Sequence, residues 1–96
     1  MKKNNKYKIH LQELGLKDGS QEQRSIKFEF ENHDNILSLI EKTKDSGRFE
    51  NKSDNIEFIV GLKLFSEVML RNKDNPLFKE FLPAFKDFMK ELKSTR

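Results

Sequence analysis

Residues 6–12, KYKIHLQ, alternate polar and apolar side chains, and residues 24–31, RSIKFEFE, do the same. A period of two places Tyr7, Ile9 and Leu11 on one strand face, and Ile26, Phe28 and Phe30 on one face of a second strand. Between them stands Asp18-Gly19, a favoured pair for a two-residue type I′ hairpin turn. With Lys17 opposite Ser20, the paired residue numbers sum to a constant. Leu11 then faces Ile26, Ile9 faces Phe28 and Tyr7 faces Phe30. Lys8 faces Glu29, Lys6 faces Glu31, and Glu13 meets Arg24. A slip of one residue would set apolar against polar side chains throughout, so the pattern admits one register. Leu14 and Leu16 break the parity, which predicts a bulge or an early end of pairing near the turn.

The remainder of the chain changes period. Ile36, Leu37, Leu39 and Ile40 recur at helical spacing, which predicts a short helix over 34–45. Asn32-His33-Asp34 offers its N-cap, Lys42 and Lys44 suit its last turn, and Gly47 suits its C-cap. A second helix is expected over 54–72, opened by Ser53-Asp54, with Asp54 and Glu57 as a capping box. Its apolar residues, from Ile56 to Leu70, cover most of the helical circumference, leaving Lys63, Glu67 and Arg71 as a narrow charged row. Such a helix is expected to be central and nearly encircled. Gly61 inside it costs about 1 kcal/mol relative to alanine, and the expected compensation is a phenylalanine ring or the sheet lying over it. Asn75-Pro76 restarts the chain. Leu77, Phe78, Phe81, Leu82, Phe85, Phe88, Met89 and Leu92 then form a stripe of helical period, which Pro83 kinks or divides at about 76–82 and 83–93.

These elements predict an α+β fold: an N-terminal two-stranded antiparallel hairpin followed by three to four helices, with the helix at about 54–72 central. The 96 residues suit a single domain, frayed at 1–5 and 94–96. Apolar residues are only 34% of the chain against 36% charged, so nine phenylalanines must supply most of the core. There is no cysteine, hence no disulfide, thiolate nucleophile or cysteine-ligated zinc. The opening MKKNNKYK has no apolar run behind it and does not read as a signal peptide. No stretch is apolar enough to span a membrane. A cytoplasmic protein is expected.

The net charge of +3 is thin. Its basic excess sits at the two ends rather than on one face, as a nucleic-acid binder would arrange it. Lys2, Lys3, Lys6 and Lys8 surround Tyr7, but Tyr7 belongs to the apolar face and cannot also stack a base. His33-Asp34 is the most site-like pair, since a histidine beside a carboxylate can serve acid–base chemistry; the same residues are ordinary capping material. His10 stands alone on the polar strand face. No phosphate-binding glycine motif, HExxH spacing or GxSxG elbow occurs. No cofactor and no metal is implied. The phenylalanine stripe could serve as a partner groove, although helical stripes in small proteins are usually core.

The segments FEFENHDNI at 28–36, GLKLFSEVML at 61–70 and PLFKEFLPAFKDFMKELK at 76–93 resemble a small bacterial family, domain of unknown function 3861. The resemblance runs from about Tyr7 to Lys93. It implies an α+β domain of this length and carries no activity or catalytic residue with it.

The functional expectation is a small non-enzymatic interaction or regulatory protein. It would act as a homodimer, because two open strand edges and a broad apolar helix leave surface to bury. The alternative is a weak nucleic-acid binder using its basic ends, and a third reading is an enzyme centred on His33 and Asp34.

Overall fold

The computed structural model describes residues 4–20 and 23–94. Its elements are β1 (Asn5–Gln12), β2 (Ser25–Asn32), α1 (Ile36–Thr43), α2 (Lys52–Arg71), α3 (Pro76–Lys79) and α4 (Leu82–Ser94). The order is an antiparallel hairpin followed by four helices, a mixed α+β chain. It divides into two compact units, residues 1–34 and 35–96.

In the hairpin unit the register follows the alternation: Tyr7 pairs Phe30, Ile9 pairs Phe28 and Leu11 pairs Ile26. The Tyr7 and Phe30 rings lie 5.4 Å apart, and Phe28 adds a second ring contact to Phe30. Cross-strand aromatic pairs of this kind contribute roughly 0.2–1 kcal/mol each. The Glu13 N–H donates to the Arg24 carbonyl, and the Arg24 guanidinium grips the Glu13 carboxylate at 2.7 Å, as the pattern predicts. Lys6 departs from it, pairing diagonally with Glu29 at 3.2 Å rather than with Glu31. Side chains at the edge of an exposed ladder reach either neighbour at little cost.

The turn also differs from expectation. The Gly19 N–H donates to the Leu16 carbonyl, so the tight turn spans 16–19 and Gly19 closes it at φ +83°. Ladder pairing stops at Gln12 and Ser25, so the register does not depend on a two-residue turn. The alternation of apolar residues holds it instead.

Three asparagines start three helices. Asn35 caps α1 by accepting from the Ser38 N–H, Asn51 caps α2 by accepting from Ser53, and Asn75 caps α3 by accepting from Leu77. The first two caps correct the sequence expectation, which began the helices at Asp34 and Asp54. Both stretches string several capping residues together, and local chemistry does not rank them. Asp54 instead lies within the first turn of α2, where its charge suits the helix dipole. Gly47 does not cap α1, which ends at Thr43; it stands further along the connection at φ +77°. Pro83 separates two helices rather than kinking one. It falls in the first turn of α4, where its missing N–H would have had no intrahelical partner.

The buried apolar residues are Ile36, Ile59, Met69 and Phe85, so the core of the helical unit draws on α1, α2 and α4. Helix α2 packs against α1 and shares ring contacts with α3 and α4. It is nevertheless not encircled. Ile56, Phe65, Val68 and Leu70 are all more than two-fifths exposed. Nor does anything lie over Gly61: a Cβ added there would meet no atom within 4 Å. Three short partners cannot wrap a 20-residue helix, so a pattern that is apolar nearly all round ends with one flank buried and one open. The ends expected to fray lie partly outside the described residues; β1 is already paired from Asn5.

Candidate functional site

The residues singled out by their chemistry sit at the end of the hairpin. Asn32 is buried and its Oδ1 accepts the Asp34 N–H at 2.9 Å, forming an Asx turn. The Tyr7 hydroxyl donates to the Asp34 carbonyl at 3.0 Å, tying the turn back to β1. His33 Nε2 lies 3.5 Å from Asp34 Oδ1, and the imidazole is two-thirds exposed. This geometry ends a strand and turns the chain. It holds a part-exposed carboxylate beside an exposed imidazole. His10 is exposed and stands opposite Lys27 in the ladder, away from His33. Among the described residues no three His, Asp or Glu side chains are grouped to hold a metal ion.

A different place has the shape of a binding site. Phe58, Gly61, Leu62 and Phe65 of α2 and Phe81, Phe85 and Phe88 line a groove of about 310 Å³. Helical period builds it: residues 58, 61, 62 and 65 share one face of α2, and 85 and 88 one face of α4. Phe81 sits at the mouth of α4, where its carbonyl accepts the Phe85 N–H. The two helices run antiparallel, since Phe58 meets Phe88 at 6.4 Å while Phe65 meets Phe81 at 6.1 Å. Phe65 is the hub, with Phe78, Phe81 and Phe85 all edge-on to it at 60–76°. Edge-to-face packing suits the ring quadrupoles and adds roughly 0.5–1.5 kcal/mol per pair beyond area burial.

Every side chain lining the groove is apolar, and it opens to solvent. Phe85 is 7% exposed, whereas Phe65, Phe81 and Phe88 are 44–45% exposed. At the Phe58 end, Phe49 packs edge-on at 5.3 Å and the Arg48 guanidinium lies 5.9 Å from the ring centroid, within the range of a cation–π contact. Glycine at position 61 leaves the groove without a side chain midway along α2, so its depth there is set by backbone. The arrangement has no nucleophile, acid or base. It can bury apolar surface and accept a cation near an aromatic ring.

Sequence reasoning found these phenylalanines but read them chiefly as core. Only Phe85 is wholly that. The signal that distinguishes a groove from a core was Gly61, a missing side chain on the very face that carries Phe58 and Phe65.

The family described as a domain of unknown function with a solved structure, DUF3861, matches residues 5–94. The chain belongs to this family. Among solved structures it is similar to a protein of unknown function from Pectobacterium atrosepticum. The two are 40% identical, with a TM-score of 0.84, over 95% of this chain and 98% of the other. No curated protein matches the chain. The family and the bacterial neighbour support the α+β architecture and the resemblance drawn from the three sequence segments; both carry unknown function. Among the described residues no helix is long and apolar enough to cross a membrane.

Proposed function

We propose that this member of the DUF3861 family is a small non-enzymatic interaction protein whose working surface is the phenylalanine groove of α2 and α4. The observation that carries the reading is the open mouth of the groove: three phenylalanines stand nearly half exposed around a lining with no polar side chain. Aromatic residues are enriched at the cores of protein interfaces, where rigid rings bury area at low entropic cost. Burying the exposed parts of Phe65, Phe81 and Phe88 against another polypeptide would recover apolar area at roughly 25 cal/mol per Å². The homodimer expected from the sequence is one assembly that would do so.

The nucleic-acid alternative has less support. Lys6 of the basic N-terminal segment is paired with Glu29, and Lys2 and Lys3 lie outside the described residues. The His33–Asp34 reading has geometry that a chain turn also requires.

Site-directed photo-crosslinking tests the proposal. A benzophenone amino acid in place of Phe88, which lines the groove and is 44% exposed, should capture a polypeptide in the native cell. The same group at position 86, on the far side of α4, should not. An adduct at twice the chain mass identifies a second copy. Equal capture from both positions, or none from position 88, overturns the reading.

A further inference from the structure

We propose that the groove takes a cationic amphipathic helix, selected by carboxylates along its open lip; the proposal rests on the groove being an interaction surface. Burial shows which flank of each helix is open. On α2, Asn55 and Ile59 are buried on one side of the Phe58–Phe65 stripe, while Gly61 and Val68 are exposed on the other. At 3.6 residues per turn that open flank also carries Asp54 and Glu57, both exposed. On α4, half-buried Leu82 and Met89 mark the closed flank and exposed Ala84 the open one, which continues to Asp87 and Glu91. Lys86, Lys90 and Lys93 fall away from the open flank of α4, as Lys63 does on α2; exposed Arg71, three residues beyond Val68, lies on the open flank at the other end of the groove. Because the helices are antiparallel, all four carboxylates gather at the Phe58–Phe88 end.

None of the four is in an ion pair among the described residues, whereas Glu41 and Asp45, nearby in sequence, are paired with Lys44 and Lys52. Arg48 over the Phe58 ring shows that this end already accommodates one guanidinium. One cation against four carboxylates leaves the lip acidic. The other end exposes Val68 and Leu77 and carries the Arg71 cation in place of carboxylates. From Phe58 to Phe65 the groove advances about 10 Å, or two helical turns. That length suits an occupant with apolar anchors at i, i+3 or i+4, and i+7. Gly61 leaves room for the middle anchor. Complementary charge then fixes which way the occupant lies, with its Lys or Arg residues at the Phe58–Phe88 end.

The test uses the full chain and two synthetic helices, one of Leu and Lys in amphipathic order and its counterpart with Glu for Lys, followed by fluorescence anisotropy. The Lys peptide should bind, and more weakly as salt rises. Asp87→Lys with Glu91→Lys should weaken it about tenfold or more. Gly61→Leu should abolish binding by filling the groove, while Gly61→Ala should retain it, with circular dichroism checking the fold of each variant. The Glu peptide should not bind. Equal binding of both peptides, lost in Gly61→Leu, overturns the charge selection but leaves the interaction surface standing. Lys-peptide binding indifferent to Gly61→Leu overturns the proposal as non-specific attraction. Binding of neither peptide, or a second copy of the chain already filling the groove, overturns it as well.

Discussion

Asn55 Nδ2, in the first turn of α2, donates to Thr43 Oγ1, in the last turn of α1, at 2.9 Å. Thr43 Oγ1 spends its own proton on the Leu39 carbonyl at 2.8 Å. The direction of the bond between the helices is therefore fixed, and both residues are buried. Asn55 Oδ1 is left buried with no donor near it. Thr43→Val removes the acceptor and strands the amide, which costs about 1–3 kcal/mol. Asn55→Leu removes the amide together with its orphaned oxygen. The double variant should be more stable than the two separate losses predict, because the stranded group is gone. A double-mutant cycle by urea unfolding measures this coupling; simple additivity would show that the bond does not join the helices.

Glycine at 61 and glycine at 19 or 47 should respond oppositely to alanine. Gly61 is helical and a Cβ there meets open space, so Gly61→Ala should raise stability by about 1 kcal/mol, read as a higher Tm. Gly19 and Gly47 have φ of +83° and +77°. Space is free at both, but the left-handed backbone itself penalises alanine by about 1–2 kcal/mol. A destabilised Gly61→Ala would mean that the groove is occupied by the protein itself.

Met69 and Leu77 are both large and apolar, yet their loss should differ sharply. Met69 has no exposed surface, and Met69→Ala should cost about 2–5 kcal/mol. Leu77 is 75% exposed, and Leu77→Ala should stay within about 0.5 kcal/mol. Denaturant midpoints of the two variants decide the matter.

Asp45 receives the Lys52 ammonium at 2.8 Å, a pair that spans the connection from α1 to the first residue of α2. The Lys52 hydrogen bond and charge hold the Asp45 carboxyl below its ordinary value of 3.8. A lowered folded-state pKa gives a contribution that is complete above the unfolded value and fades as pH falls below it, through the folded value. Asp45→Asn should therefore flatten the acid limb of stability against pH and leave the alkaline limb unchanged. High salt should shrink the difference, since the pair is exposed. An unaltered acid limb at low salt would show that the pair does not form in solution.

The hairpin register was legible because alternation is a local rule with one solution: placing Leu11 against Ile26 fixes every other pair. The helices around Ile36, Ile59 and Phe85 were legible for the same reason, since a period near 3.6 needs no knowledge of neighbours. Pro83 and Asn75 were informative because proline geometry admits few positions. Helix starts were not, where Asn32, Asp34 and Asn35, or Asn51, Ser53 and Asp54, compete to cap within a few residues of one another.

Gly61 and the phenylalanine stripe hinted at a groove, but how far it stands open was out of reach for a further reason. A sequence gives the apolar face of α2 but not the number of elements available to cover it. Phe58, Phe65, Phe85 and Phe88 carry the same label in the pattern, yet Phe85 is sealed while Phe65 and Phe88 stand half open. Periodicity and turn chemistry in the chain thus determined which segments become strands and helices, and which strand residues face each other. Tertiary packing alone decided which flank of α2 is covered and where the carboxylates of α2 and α4 converge, because burial depends on residues distant in sequence and on how much surface each can cover.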